Sequence, residues 1–242
     1  MAKEQLIEEA FVFHDGVERT VAIKLSSRAR RIQIKIDHHG GGIHLTIPKS
    51  ISPAKGMEFI KKQQSWILGK LSRLEDGHPF ENGMILPFKG RPCRVVHSPG
   101  RGLVSFNSQD AEIQVHGQIE HLPRRLLDWL KKQAKADLSA RSVAKAHKLG
   151  LTIKQITIRD QKTRWGSCSS NKTLSYSWRL ILAPPTVLDY MAAHEVAHLK
   201  EMNHGPNFWR LTDSLLEPNT DREEAQRWLK NEGRRLFSYG RD

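Results

Sequence analysis

The sequence predicts an α+β protein with a β-rich front and a back half built from long helices and a few strands. Three patterns carry this. The first 50 residues alternate apolar and polar side chains between Gly and Pro turn signals, whereas residues 119–148 repeat leucines at threes and fours. The third is a histidine-bearing helix that follows a Pro-Pro pair after residue 183. The expected division is a β-rich N-terminal region with one helix over residues 1–118 and a second domain over 119–242.

Phe11-Val12-Phe13 and Val21-Ala22-Ile23 flank Asp15-Gly16, a hairpin signal. From Arg31 to Asp37, Ile32, Ile34 and Ile36 share one face opposite Arg31, Gln33 and Lys35. His38-His39-Gly40-Gly41-Gly42 then turns the chain into Ile43–Ile47, closed by Pro48. Ser52 is suited to cap a helix that has Pro53 at its first position and runs to about Leu74. Short strands are expected over 77–117. Leu122, Leu126, Leu127, Leu130, Ala134, Leu138 and Val143 mark a helix that stops at Gly150. Strands are expected at 153–158 and 173–182. Thr186 and Asp189 have capping-box spacing at the head of the next helix, and further helices are expected around Phe208-Trp209-Leu211 and Trp228-Leu229.

The chemistry lies in His194-Glu195-Val196-Ala197-His198, with His204 six residues on. Histidines four apart on a helix project from one face, because four residues span slightly more than one turn. Two imidazoles so placed can share a metal ion, the neighbouring Glu195 can hold a proton of its water, and a third nitrogen from His204 leaves one position open, as in a catalytic zinc site. The face shared with Val187, Met191 and Met202 is apolar, and only a strip around Ala193, Ala197 and Lys200 is expected to meet water. Asn203, Gly205 and Pro206, residues that end helices and tolerate left-handed backbone, allow a chain reversal that brings His204 back toward the pair. The spacing equals that of the metzincin signature, but Glu201 occupies the place of its turning glycine, which disfavours that group. Zinc is the expected metal; nickel, cobalt and copper also accept imidazole. In the expected reaction a zinc-activated water attacks the substrate with Glu195 as general base. Arg164, Tyr176 and Arg179 are candidate substrate contacts, by their nearness along the chain.

A formal net charge of +13 suits an anionic partner or a solvated basic surface. Arg28, Arg30, Arg31 and Lys35, and the helix bearing Arg124, Arg125, Lys131, Lys132 and Lys135, read better as solvated faces than as a nucleic-acid surface. Cys93 and Cys168 are too few for a disulfide framework and fit a reducing compartment; Cys168 reads as a packing residue. The acidic start has no signal-peptide core, and no segment approaches the roughly 20 apolar residues of a membrane span, so a cytoplasmic location is expected.

Thr163-Arg164-Trp165-Gly166-Ser167-Cys168-Ser169-Ser170, Trp178-Arg179-Leu180, Ala183-Pro184-Pro185, Asp189-Tyr190 and the histidine motif together closely resemble the YgjP-like family of zinc metallopeptidases, related to the SprT-like and WLM groups. Asn203-His204-Gly205-Pro206 with Phe208-Trp209 continues the likeness, with Gly205 where the family pattern has Ser, and Ser27-Arg28-Ala29-Arg30-Arg31-Ile32 extends it forward. It covers roughly residues 20–235. The resemblance implies a zincin-like fold with the motif helix under a small sheet, whose edge strand, expected at 173–182, receives an extended polypeptide. Two other functions stay open from the residues: a metal-dependent hydrolase of nucleotide phosphoanhydrides, and a nucleic-acid or protein-binding module with structural zinc.

Overall fold

The computed structural model describes residues 6–36, 42–71, 77–161 and 164–240. The chain forms two compact units, Met1–Gly77 and His78–Asp242.

In the first unit β1 (Leu6–Val12), β2 (Glu18–Ser26), β3 (Gln33–Ile36) and β4 (Ile43–Pro48) form a sheet in the order β1-β2-β4-β3. The Asp15-Gly16 turn joins β1 to β2, with Gly16 at φ +76 and the Asp15 carboxylate accepting from Val17 N at 3.1 Å. β2 and β4 run parallel. Val21, Ile23, Ile43, Leu45 and Ile47 line the buried face with Ile60 and Ile67 from α1 (Pro53–Lys62) and α2 (Gln64–Leu71). Ser52 caps α1, accepting from Lys55 N. A Cβ at Gly56 would stand 2.9 Å from Leu45, so α1 lies on β4 more closely than an alanine there allows. The single helix expected from Ser52 is interrupted at Gln63, beside the buried Gln64 amide, which donates to Lys61 O (3.1 Å) and accepts from His14 N (3.0 Å). Its expected end near Leu74, and the His38-His39-Gly40-Gly41 turn, lie outside the described residues.

In the second unit β5 (Ile85–Phe88), β6 (Arg91–Ser98), β7 (Ser105–Asn107) and β8 (Glu112–His116) form a sheet ordered β5-β6-β8-β7. The long helix α3 (Leu122–Lys148) follows it. A second sheet, β9 (Gln155–Arg159), β10 (Gly166–Cys168) and β11 (Thr173–Ser177), has the order β10-β11-β9, with β10 antiparallel and β9 parallel to β11. Then come α4 (Pro185–Ala197), α5 (Pro206–Ser214) and α6 (Arg222–Asn231). The α+β class is the one the sequence predicts, and a zincin-like arrangement fits it.

Four expectations are corrected. The division expected at residue 118 falls inside the second unit, because Val95, Ile113 and Val115 of the first sheet share one core with Leu126, Leu130, Tyr176, Trp178, Leu188 and Val196. The strand expected over 173–182 stops at Ser177, whose hydroxyl accepts from Arg179 N at 3.3 Å and starts a 3₁₀ turn over Trp178–Leu182. β11 is consequently the central strand of its sheet, and β10 is an edge. The capping box at Thr186 and Asp189 does not form: Pro184 is the cap position, with no side-chain cap, and Asp189 is buried against Lys145 instead.

Candidate metal centre

Pro185 at its first position starts α4, and buried Leu188, Ala192, Ala193, Val196 and Ala197 hold it in the core. The strip expected to be open at Ala193 and Ala197 is therefore closed; the partly exposed side is the one that carries His194 and His198. Asp189 ties this helix to its neighbours. Its carboxylate takes Lys145 Nζ of α3 at 2.7 Å, Arg141 at 3.3 Å and Glu217 N at 2.9 Å, and Lys145 also donates to Leu215 O at 2.6 Å.

His194 sits in the last turn of α4 and His198 at its C-cap. The chain then reverses through Asn203, whose carbonyl accepts from Gly205 N at 2.8 Å, and Pro206 opens α5. No left-handed residue is used here: Gly205 has φ −82 and an extended backbone. His204 thereby returns to the pair. One nitrogen from each of His194, His198 and His204 lies within 4.8 Å of the others, and among the described residues no other three His, Cys, Asp or Glu side chains form such a group. His204 Nε2 is 3.2 Å from His194 Nε2. Two nitrogens bound tetrahedrally at zinc's usual bond length stand roughly 3.3 Å apart, so this pair already has ligand spacing.

The outer nitrogens are held so that the inner ones converge. His198 Nδ1 donates to Glu201 O at 3.0 Å, which leaves the Nε2 lone pair facing its partners. His194 Nδ1 is 3.4 Å from the Tyr190 hydroxyl, which accepts from Gln226 Nε2 at 3.0 Å. Burial, aided by the neighbouring rings, pushes His194 down to about 4, and burial also lowers His198. Both rings are therefore neutral near pH 7, the form that binds metal. Phe208 packs among all three rings at 4.5–5.0 Å between centroids, and Trp209 stacks on His204 at 5.6 Å.

Glu195 is 3 % exposed, and its Oε2 has no hydrogen-bond partner among the described residues. Burial pushes its carboxyl up to about 8, against a smaller opposing pull from Arg164. Its position depends on Gly166 in β10, where a Cβ would run into the Glu195 carboxylate. Gly166, Tyr190 and Gln226 are functional candidates that sequence reasoning missed. Gly166 had a usable signal, a glycine inside an otherwise strand-like Trp-Gly-Ser-Cys run; Gln226 had none.

The three candidate substrate contacts separate. Tyr176 is fully buried, with its hydroxyl 2.9 Å from Ser142 Oγ, and it does not reach an open surface. Arg179 is 2 % exposed, and its guanidinium is used up by Asp160 (3.0 and 3.4 Å), Leu236 O (3.0 Å) and Tyr239 O (2.6 Å). It clamps the C-terminal 3₁₀ turn over Gly233–Phe237, and Tyr239 beyond it, rather than a substrate. Arg164 alone is exposed and within electrostatic reach of Glu195. Cys168 stays a thiol, because burial and Glu195 push it up to about 11. Arg28, Arg30, Arg31 and Lys35 lie on an exposed surface of the first unit, as a solvated face does. No helix among the described residues is long and apolar enough to cross a membrane.

A family model, the YgjP-like metallopeptidase domain, matches residues 30–232, most of the chain. The chain belongs to the YgjP-like family. Membership makes it a metal-dependent hydrolase of the peptidase class, as the resemblance in its motifs implied. Curated proteins contain no match to it. Two solved structures are weakly similar to this YgjP-like chain. The metallopeptidase zymogen jannalysin of Methanocaldococcus jannaschii is 22 % identical, with a TM-score of 0.34 over 39 % of this chain and 95 % of its own. The metallopeptidase zymogen abylysin of Pyrococcus abyssi is 22 % identical, with a TM-score of 0.30 over 44 % of this chain and 94 % of its own. The family assignment stands on the family model alone.

Proposed function

We propose that the chain is a zinc peptidase in which His194, His198 and His204 hold the metal and Glu195 is the general base, acting on extended or unfolded polypeptide. The observation that carries this reading is the convergence of three imidazole nitrogens at the end of a helix whose Glu195 has a buried carboxylate oxygen without a partner among the described residues. The donor set suits zinc: three neutral nitrogens at ligand spacing, with their far nitrogens held by Glu201 O and Tyr190. Nickel and cobalt accept the same donors.

Bound there, zinc supplies a Lewis acid that polarises a carbonyl and acidifies a coordinated water. Glu195 supplies the proton traffic. Burial alone favours the protonated Glu195 carboxyl, and a cation held by the three histidines would favour its ionised form, so that Glu195 could take a proton from a coordinated water and hand it on to a leaving amine. Phe208 and Trp209 keep one side of the histidine cluster apolar, which strengthens these electrostatic interactions. A structural metal site has no use for a buried, unpartnered carboxylate, and this weighs against a binding module.

The test is cleavage of casein by the zinc-loaded chain and by Glu195→Gln, beside a nucleoside triphosphate panel. Casein cleavage that Glu195→Gln abolishes, with the triphosphates intact, is the expected result. Casein cleavage unchanged in Glu195→Gln, or triphosphate hydrolysis without proteolysis, overturns the reading.

A further inference from the structure

The β10-β11-β9 sheet has a second working face. Gly166 and Cys168 in β10 share a side with Leu174 and Tyr176 in β11, which belong to the core beside α4. Alternation sends Ser167, Thr173 and Ser175 to the opposite side. There a groove of about 570 Å³ opens, lined by Arg159, Arg164, Gln161 and those three hydroxyls. Its volume lies within the roughly 300–1,000 Å³ of ligand sites.

The lining is cationic and rich in donors. Two arginines line it, and no carboxylate is among its described lining residues. Asp160, the acid between Arg159 and Gln161 in sequence, is bonded to Arg179. Gln161 reaches Ser175 Oγ through Nε2 at 3.5 Å, while its Oε1 is buried without a partner among the described residues. The groove thus offers a fork of N–H donors for an oxyanion and one unused acceptor for an N–H. A polypeptide carries both groups. Planar guanidinium matches carboxylate in a two-point pair. Arg164 links the groove to the histidine site across the sheet: it lines the groove and acts electrostatically on Glu195, and β10 is an edge strand.

We propose that this outer groove is a subsite for carboxylates of a polypeptide substrate, bound by Arg159 and Arg164, and that it makes the enzyme selective for acidic chains or free C-termini. The choice of a polypeptide as ligand rests on the peptidase reading above. The groove's anion chemistry does not.

Binding without turnover tests it. Fluorescence anisotropy of the full-length, zinc-loaded Glu195→Gln chain is read with three labelled decapeptides: Glu/Gly with an amidated end, Gln/Gly with an amidated end, and Gln/Gly with a free carboxylate. A net charge of +13 attracts any polyanion, so the deciding quantity is the effect of adding Arg159→Gln. Arg159 is exposed on β9, so the substitution disturbs no packing. The Glu peptide, the free-carboxylate peptide or both should bind wild-type Arg159 about tenfold more tightly than Arg159→Gln, the worth of one charge-assisted hydrogen bond. Whichever responds names the source of the carboxylate, and Arg159→Lys should restore part of the affinity. Equal affinities with and without Arg159 for both peptides overturn the proposal. So does an Arg159-dependent site for inorganic phosphate that neither carboxylate peptide occupies. Because no bond is cleaved, failure here is separate from failure of the casein assay.

Discussion

Asp189 and Lys145 form a buried pair 2.7 Å apart, each side chain 2 % exposed, and it joins the histidine helix to α3 and to the turn after α5. Replacing Asp189 with Leu leaves the Lys145 ammonium buried with Leu215 O and, at 3.8 Å, Glu217 Oε1. Replacing Lys145 with Met leaves the carboxylate with Glu217 N and a longer contact to Arg141. Each single change strands a buried charge and should cost about 3–5 kcal/mol. The double variant strands no charge. It loses the partners of Leu215 O and Glu217 N, at about 1–3 kcal/mol for each group, and the longer contact to the part-exposed Arg141. The two singles together should therefore exceed the double by about 4 kcal/mol. Urea unfolding of the metal-free chain followed by tryptophan fluorescence measures this, since five of the six tryptophans lie in the second unit and report on it. Additivity within about 0.5 kcal/mol would refute the assignment of a coupled buried pair.

Tyr190→Phe removes the hydroxyl between Gln226 and His194 Nδ1, and zinc affinity measured against a competing chelator should fall about tenfold or more; an unchanged affinity would show that the hydroxyl does not orient the ring. Gly166→Ala puts a methyl where the Glu195 carboxylate stands. Its kcat/KM on casein should drop about 100-fold with zinc content unchanged, and activity within about twofold of wild type would contradict this account of Gly166. Burial holds Tyr176 above the usual tyrosine range, so above pH 10 the unfolded chain gives up a proton that the folded chain keeps. Stability therefore falls as pH rises past 10, with this residue contributing a slope of up to about 1.4 kcal/mol per pH unit. Tyr176→Phe should flatten the alkaline limb of the urea midpoint against pH, and identical limbs would falsify that assignment.

What the sequence made legible was local. The leucine period gave away α3, Ser52-Pro53 the start of α1, and the four-residue spacing of His194 and His198 their common face, because each depends on residues within a few turns. The reversal that returns His204 was readable from Asn203 and Pro206. Non-local choices were not readable. Alternation in β6 and β8 marks a buried face without saying that α3 covers it, and so the boundary was expected at residue 118. Thr186 and Asp189 have capping-box spacing, but a lysine 44 positions away in the chain claims Asp189. Arg179 stands beside the motif in sequence, yet its partners lie at Asp160 and around Leu236 and Tyr239, contacts set by folding of the C-terminus. Arg164, chosen on the same ground, is exposed just ahead of the edge strand β10.

The claim on which everything else depends is that three histidines converge on one metal ion. Cobalt titration of the metal-free chain tests it most directly, since cobalt accepts imidazole and its visible absorption reports coordination. One equivalent should bind with the intense absorption of a four- or five-coordinate site, and His194→Ala, His198→Ala and His204→Ala should each weaken that binding by at least about tenfold. No visible band, or a band indifferent to removal of His204, would contradict the account.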